Sequence, residues 1–298
     1  MRLVECVPNF SEGRRRDVVD SIAAAIESAP GIRVLDVEMD ADHHRSVVTF
    51  VGEPDAVAEA AFLGAKEAVA RIDMNVHRGE HPRIGALDVL PFVPISGVSM
   101  EECVGLARSV GERIAEDLRV PVYLYEAAAT RPDRKALPDL RRGEYEGLKA
   151  EIETNPERRP DFGPPRLHPT AGACIVGARP VLIAWNVNLA TTDVGLAKKI
   201  AKEIRESDGG LPAVRAKGFV LADRGLAQVS MNMIDYRKTS LLRAFEEIRK
   251  RAEAAGVEVA ESEIVGLVPL DAIVEAAAAH LKLHGFRREQ VLEARIWE

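Results

Sequence analysis

The chain reads as an α+β protein built from two β-α-β-β-α-β lobes. Three observations point there. Its 298 residues amount to roughly two domains at about 150 residues each. Strand-like patterns of period two and helix-like patterns of period 3.6 run through the same order twice. A charged stretch without either period, residues 130–172, separates the two rounds and holds seven prolines. The lobes are therefore placed at 1–178, which takes in this connector, and at 179–298.

Residues 3–7 alternate weakly and predict a strand. Residues 14–27 carry Val18, Val19, Ile22 and Ile26 at helical spacing, and Pro30-Gly31 stops that helix. The β-branched runs 33–37 and 46–51, joined by a polar turn over 40–45, predict a hairpin. Pro54 suits the first turn of a second helix that runs to about Arg71. Residues 87–95 form the next strand. Ser99 and Glu102 make an S-x-x-E capping box that opens a helix to about Leu118, and strand 120–125 closes the half. The second half repeats the order as strand 181–189, helix 193–206, strands 214–221 and 227–233, helix 240–255, strand 257–268, and a final helix 271–284. Two such units predict ferredoxin-like lobes, each a sheet with helices on one face.

Composition narrows the function. Hydrophobic residues make up 47% and charged residues 29%, the balance of a globular protein able to bury a sizeable core. The net charge of −7 argues against nucleic acid, which calls for a basic footprint. Cys6, Cys103 and Cys174 are far apart and odd in number, so they read as reduced thiols rather than a disulfide or zinc framework. No apolar run approaches the ~18 residues of a membrane span. Glu5 interrupts what would be the core of a signal peptide. The expected compartment is the cytoplasm.

Several chemistries lack their motifs. There is no G-x-G-x-x-G, no G-x-S-x-G and no kinase set, and Ala178-Arg179 follows Gly177 where a phosphate loop needs Lys-Ser/Thr. Residues His77-Arg78-Gly79-Glu80-His81-Pro82-Arg83 hold two of the seven histidines just before a strand. As a metal pair they are poorly placed. Gly79 and Pro82 break the helix that would align them, and Glu80 is not where H-E-x-x-H puts its base. As an acid/base, either imidazole could take and give a proton near neutral pH. The alternative is that both rings only satisfy loop backbone groups, the simpler reading for His77.

Other polar groups carry two readings as well. Asp36, Asp40, Asp42, His43, His44 and Arg45 lie at a strand end and its turn, where a solvated hairpin tip is the simplest account. Asn186 and Asn188 share one sheet face and need partners, which a ligand could supply. The pairs Arg141-Arg142 and Arg158-Arg159 read as solvated, or as local positive potential for a polycarboxylate. The connector could be a linker, but its length and stiffness suit a binding loop better.

Residues Leu3-Val4-Glu5-Cys6-Val7-Pro8-Asn9-Phe10-Ser11-Glu12-Gly13 resemble the opening of the glutamate formimidoyltransferase family. So do the stretches 77–94, 120–126, 141–145, 160–164, 181–189 and 264–270, which together span nearly the whole chain. The combination of N-F-S-E-G with G-E-H-P-R is specific. The resemblance implies a two-lobed formiminotransferase domain that binds tetrahydrofolate in a groove between the lobes and dimerises. It implies transfer of the formimino group of N-formimino-L-glutamate to folate N5 in histidine breakdown, with tetrahydrofolate as co-substrate and no metal. The family's catalytic histidine falls on His81. Its folate-contacting stretch falls on Gly163, Pro164, Pro165, Arg166, Leu167, His168, Pro169, Thr170, Ala171 and Gly172. Relatives carry Asn where this chain has His44, and residues 166–170 differ from the animal forms. The resemblance ends without the cyclodeaminase domain fused in animals, which implies a separate cyclodeaminase enzyme downstream.

On that reading, Asp36 or Asp40 could orient His81 by accepting its second ring N–H, and Arg45 could hold a substrate carboxylate. Two competing functions stay open at this point. One is formyl transfer from N-formylglutamate to tetrahydrofolate, and the other is folate binding without turnover.

Overall fold

The computed structural model describes residues 2–79 and 81–297. The chain divides after Pro180 into two compact units, each with its own sheet. The α+β class holds in both.

The first unit begins with two short strands, β1 (Leu3–Cys6) and β2 (Asn9–Phe10). Pro8, which has no N–H, interrupts them. Helix α1 (Arg16–Glu27) follows, then the hairpin of β3 (Arg33–Asp40) and β4 (Arg45–Gly52), then α2 (Pro54–Arg71) with Pro54 at its start. Next come β5 (Leu87–Ser96), α3 (Met100–Asp117) and β6 (Val122–Glu126). The Ser99 hydroxyl accepts from the Glu102 N–H and the Glu102 carboxylate accepts from the Ser99 N–H, so the capping box forms as read. Both β1 and β2 lie between β4 and β5, antiparallel to each.

Residues 130–172 are not a bare linker. They contain α4 (Leu137–Leu140) and α5 (Glu144–Glu151), and a further strand, β7 (Cys174–Ala178), follows them. Strand β7 runs parallel to both β5 and β6 and joins them into one sheet. Alternate residues of these strands serve opposite faces. Leu90, Leu124 and Val176 join the main core with Ile22 of α1, Ala61 of α2 and Ile114 of α3. Val89, Tyr123, Tyr125 and Ile175 point the other way, onto Leu140, Leu148 and Ile152. Helices on one face only, the expectation for each lobe, is therefore wrong for this unit. The connector is a partial second layer because the parallel strands are apolar on both faces.

The second unit has β8 (Ile183–Leu189), α6 (Val194–Ile204), β9 (Val214–Leu221), β10 (Leu226–Met233), α7 (Leu241–Ala254), β11 (Val259–Val265) and α8 (Leu270–His280). Its sheet is antiparallel in the order β11-β8-β10-β9. Trp185, Val187 and Val229 pack on Ile200, Ala244 and Ile248. On the opposite face Asn186 donates to Glu263, Asn188 to Glu261, and Gln228 to Asn188 at 2.9–3.0 Å. These amides find their partners within the protein.

Candidate active site

The polar centre of the first unit is assembled by close backbone packing. A Cβ on Gly13 would stand 2.0 Å from the Asp40 carbonyl oxygen, and one on Gly79 would stand 2.5 Å from that of His43. Only glycine lets these two loops press against the β3–β4 turn. That turn is consequently not a free hairpin tip. The Gly13 N–H donates to His44 Nδ1 at 3.0 Å, and the His44 ring stacks on His77 with centroids 4.3 Å apart. His77 Nε2 donates to the His44 carbonyl, and its Nδ1 accepts from Arg83 Nε. With both ring nitrogens engaged, His77 is a structural strut. Burial pulls the pKa of His44 and of His77 below the ordinary histidine value.

His81 lies beyond Glu80, a residue outside the described range, and its ring is half-buried. Arg45, the first residue of β4, reaches His81 Nδ1 at 2.8 Å. The same guanidinium contacts Asn9 Oδ1 in β2 and lies 3.4 Å from Asp88 Oδ2 at the start of β5. Asp88 is 2% exposed, takes the Ile84 N–H at 2.8 Å, and is also paired with Arg141 just past α4. Among the described residues a single carboxylate thus faces two arginines. The Arg141 side chain is 10% exposed, and its buried Nε has no hydrogen-bond partner among the described residues. Such an orphan donor costs about 1–3 kcal/mol unless a ligand satisfies it. Burial first, then the charges of Arg45 and Arg141, depress the His81 pKa to about 3 against the opposing pull of Asp88 and the Pro82 carbonyl. At neutral pH the imidazole is uncharged.

The other sequence candidates fall as follows. Asp36 accepts the neighbouring Val37 N–H. Asp40 caps its own turn through the N–H groups of Asp42 and His43 and pairs with the His43 ring at 2.7 Å. Among the described residues neither carboxylate bonds to His81. The His43 ring stands 6.3 Å from that of His81, so Asp40 bears on it only through His43. Arg45 is brought to His81 but is occupied by protein groups.

The 163–172 stretch has two ends. Gly163, Pro164, Arg166, Leu167, His168 and Pro169 line a cavity of about 680 Å³ with Ala115, Glu116 and Arg119, within the size range of small-molecule sites. Pro165 lies within this segment. The Thr170 carbonyl accepts from Met74 N–H, the Ala171 carbonyl accepts from Ala86 N–H, and Gly172 bridges Gly85. The cavity wall is therefore tied to the loop that carries His81. His168 Nδ1 accepts the Thr170 and Ala171 N–H groups and holds the loop in shape.

Of the members of the centre, Asp88 is not singled out by the sequence reading, and Arg141 enters it only as half of a basic pair. Asp88 gave a signal, a lone carboxylate in an otherwise apolar strand. Arg141 gave none that separates it from Arg142, which is 77% exposed.

Comparison with known proteins adds a second line. Residues 3–179 match the N-terminal subdomain of the formiminotransferase domain, and residues 184–292 match the formiminotransferase domain. A glutamate formimidoyltransferase of Thermoplasma acidophilum is 51% identical, with 99% of this chain and 98% of that protein covered. One of Streptococcus pyogenes serotype M1 is 46% identical, with 98% of each covered. A formimidoyltransferase-cyclodeaminase of Mus musculus is 48% identical over 93% of this chain but only 52% of its own length.

Proposed function

Given that the chain belongs to the formiminotransferase family, we propose that it is a glutamate formimidoyltransferase, moving the formimino group of N-formimino-L-glutamate to N5 of tetrahydrofolate. Full-length similarity to two proteins of that name supports the activity. The observation that carries the chemistry is an uncharged imidazole, His81, held within a cluster of arginines.

Folate N5 attacks the formimino carbon and forms the N5–C bond, and the tetrahedral adduct expels the glutamate nitrogen as the C–N bond breaks. The N5 proton leaves and the departing nitrogen gains one. His81 carries that proton in both directions, an effect worth roughly 10²–10⁴-fold. The 163–172 stretch holds tetrahydrofolate as co-substrate. Holding both reactants together supplies much of the remaining acceleration. Arg45 receives a donor carboxylate, in keeping with its charge and place beside His81. No metal enters this scheme. Among the described residues no group of three His, Cys, Asp or Glu side chains comes together to hold one.

The finer assignments belong to the same proposal. Each unit's strand and helix order, with the first strand at the centre of the sheet, supports ferredoxin-like lobes. The enzyme serves histidine breakdown, and a cyclodeaminase activity takes the product, as the name of the fused relative pairs the two activities. Three free, buried cysteines suit the reducing cytoplasm. Exposed Ile273, Leu281 and Leu283 suit a homodimer contact. A donor panel with tetrahydrofolate tests the activity. Formiminoglutamate should outrun N-formylglutamate and formiminoglycine, and preference for the formyl donor, or absence of transfer, would overturn it.

A further inference from the structure

A guanidinium has five N–H donors and no acceptor. The 2.8 Å contact of Arg45 with His81 Nδ1 therefore uses the lone pair of that nitrogen. The one proton of the neutral ring must then sit on Nε2. An imidazole held this way can donate, but it has no free lone pair with which to accept. Formimino transfer nevertheless needs an acceptor for the N5 proton.

The surroundings supply a way out. Among the described residues Asp88 offers one negative charge to the two positive charges of Arg45 and Arg141, so this cluster carries one charge in excess. Arg141 Nε is buried without an acceptor among the described residues. An entering anion would provide both the missing charge and the missing acceptor. Resting on the assignment of His81 as proton carrier, we propose that Arg45 is a substrate-operated latch: a carboxylate of the donor docks on Arg141 and Arg45, draws the Arg45 guanidinium off His81 Nδ1, and so frees the ring to accept a proton.

The step balances without a further reactant. The freed Nδ1 lone pair takes the N5 proton, the imidazolium returns one proton to the glutamate nitrogen, and the ring ends neutral. Among the described residues, the groups facing His81 are Arg45 from β4, Asp88 from β5, Arg141 after α4, His43 from the β3–β4 turn and the Pro82 carbonyl. Of these, Arg45 makes the direct contact that a carboxylate can relieve. A donor without a carboxylate leaves the ring locked. Arg45 thus both receives the donor carboxylate and governs the His81 ring.

The test is NMR of histidine-labelled full-length protein, with the His81 ring assigned through His81→Asn and titrated with and without saturating L-glutamate. In wild type alone the ring should remain neutral, with its proton on Nε2, well below the ordinary histidine range. L-glutamate should raise the midpoint by about one pH unit or more. Arg45→Gln should show the raised midpoint without glutamate, and glutamate should add little. Arg141→Gln should need about tenfold more glutamate for the same change. An unaltered midpoint in Arg45→Gln, or glutamate that fails to move the ring in wild type, would overturn the latch. The wild-type comparison decides alone if Arg45→Gln fails to fold. Because the readout needs no turnover, an active enzyme with an unresponsive ring refutes the latch and leaves the activity standing. A responsive ring in a protein that transfers nothing does the reverse.

Discussion

Replacing Asp88 by Asn keeps the side-chain shape and removes the one negative charge between Arg45 and Arg141. The site is 2% exposed, so water cannot take over the lost role. The Ile84 N–H still finds an amide oxygen, but two largely buried guanidiniums, 19% and 10% exposed, face a neutral group that can itself donate. Breaking a buried ion pair from one side costs about 3–5 kcal/mol. For a unit the size of residues 1–180, each kcal/mol moves the midpoint by about 2–4 °C, so its transition should fall by about 6–20 °C. Differential scanning calorimetry at pH 7 measures this, with Glu59→Gln as the control. Glu59 is paired with Arg113 on the surface, both roughly half exposed, and its loss should cost only about 0–1 kcal/mol. An Asp88→Asn transition within about 2 °C of wild type would refute the charge accounting of the cluster.

Other outcomes follow from the same geometry. The folded pKa of His81, about 3, lies below the ordinary value of ~6.5, so its contribution to stability is complete above that value and is lost as pH falls toward 3. Between pH 7 and pH 5 this amounts to about 2 kcal/mol. His81→Asn should be less acid-sensitive by that amount in urea titrations, and an equal slope would refute the burial argument. A Cβ on Gly85 would stand 1.8 Å from the Ala173 carbonyl oxygen, so Gly85→Ala should cost about 1–3 kcal/mol or more and weaken tetrahydrofolate binding by shifting the 163–172 loop. Unchanged affinity by calorimetric titration would contradict that link. Arg134 and Asp161 form an ion pair at 2.6 Å, with both side chains under a tenth exposed. Arg134→Ala should open the connector to limited proteolysis within residues 130–172, and intact wild-type-like resistance would contradict the pinning role.

The elements most legible in the sequence were those whose own residues enforce them. The Ser99 capping box, Pro54 at the start of α2 and the β-branched hairpin each have a local cause, and each appears in place. Strand β7 was missed because it is a five-residue apolar run with no polar alternation, as befits a parallel strand buried on both faces. Helices α4 and α5 are too short for a period to show, and Leu140, Tyr145 and Leu148 hold them by tertiary contact. The same limit applies to the site. His81 could be singled out by its motif, whereas Arg141 and Arg142 look alike in sequence and differ only in what surrounds them once folded. Asp36 and Asp40 suit an orienting role by residue type, as carboxylates able to accept a ring N–H. In the fold their carboxylates serve the strand and the turn instead.

The most direct measurement of the central assignment is a steady-state assay of formiminoglutamate with tetrahydrofolate on wild type and His81→Ala, paired with calorimetric binding of tetrahydrofolate to both. The account predicts a kcat lower by roughly 10²–10⁴-fold with folate affinity unchanged. An unchanged rate, or affinity and turnover falling together, would contradict it.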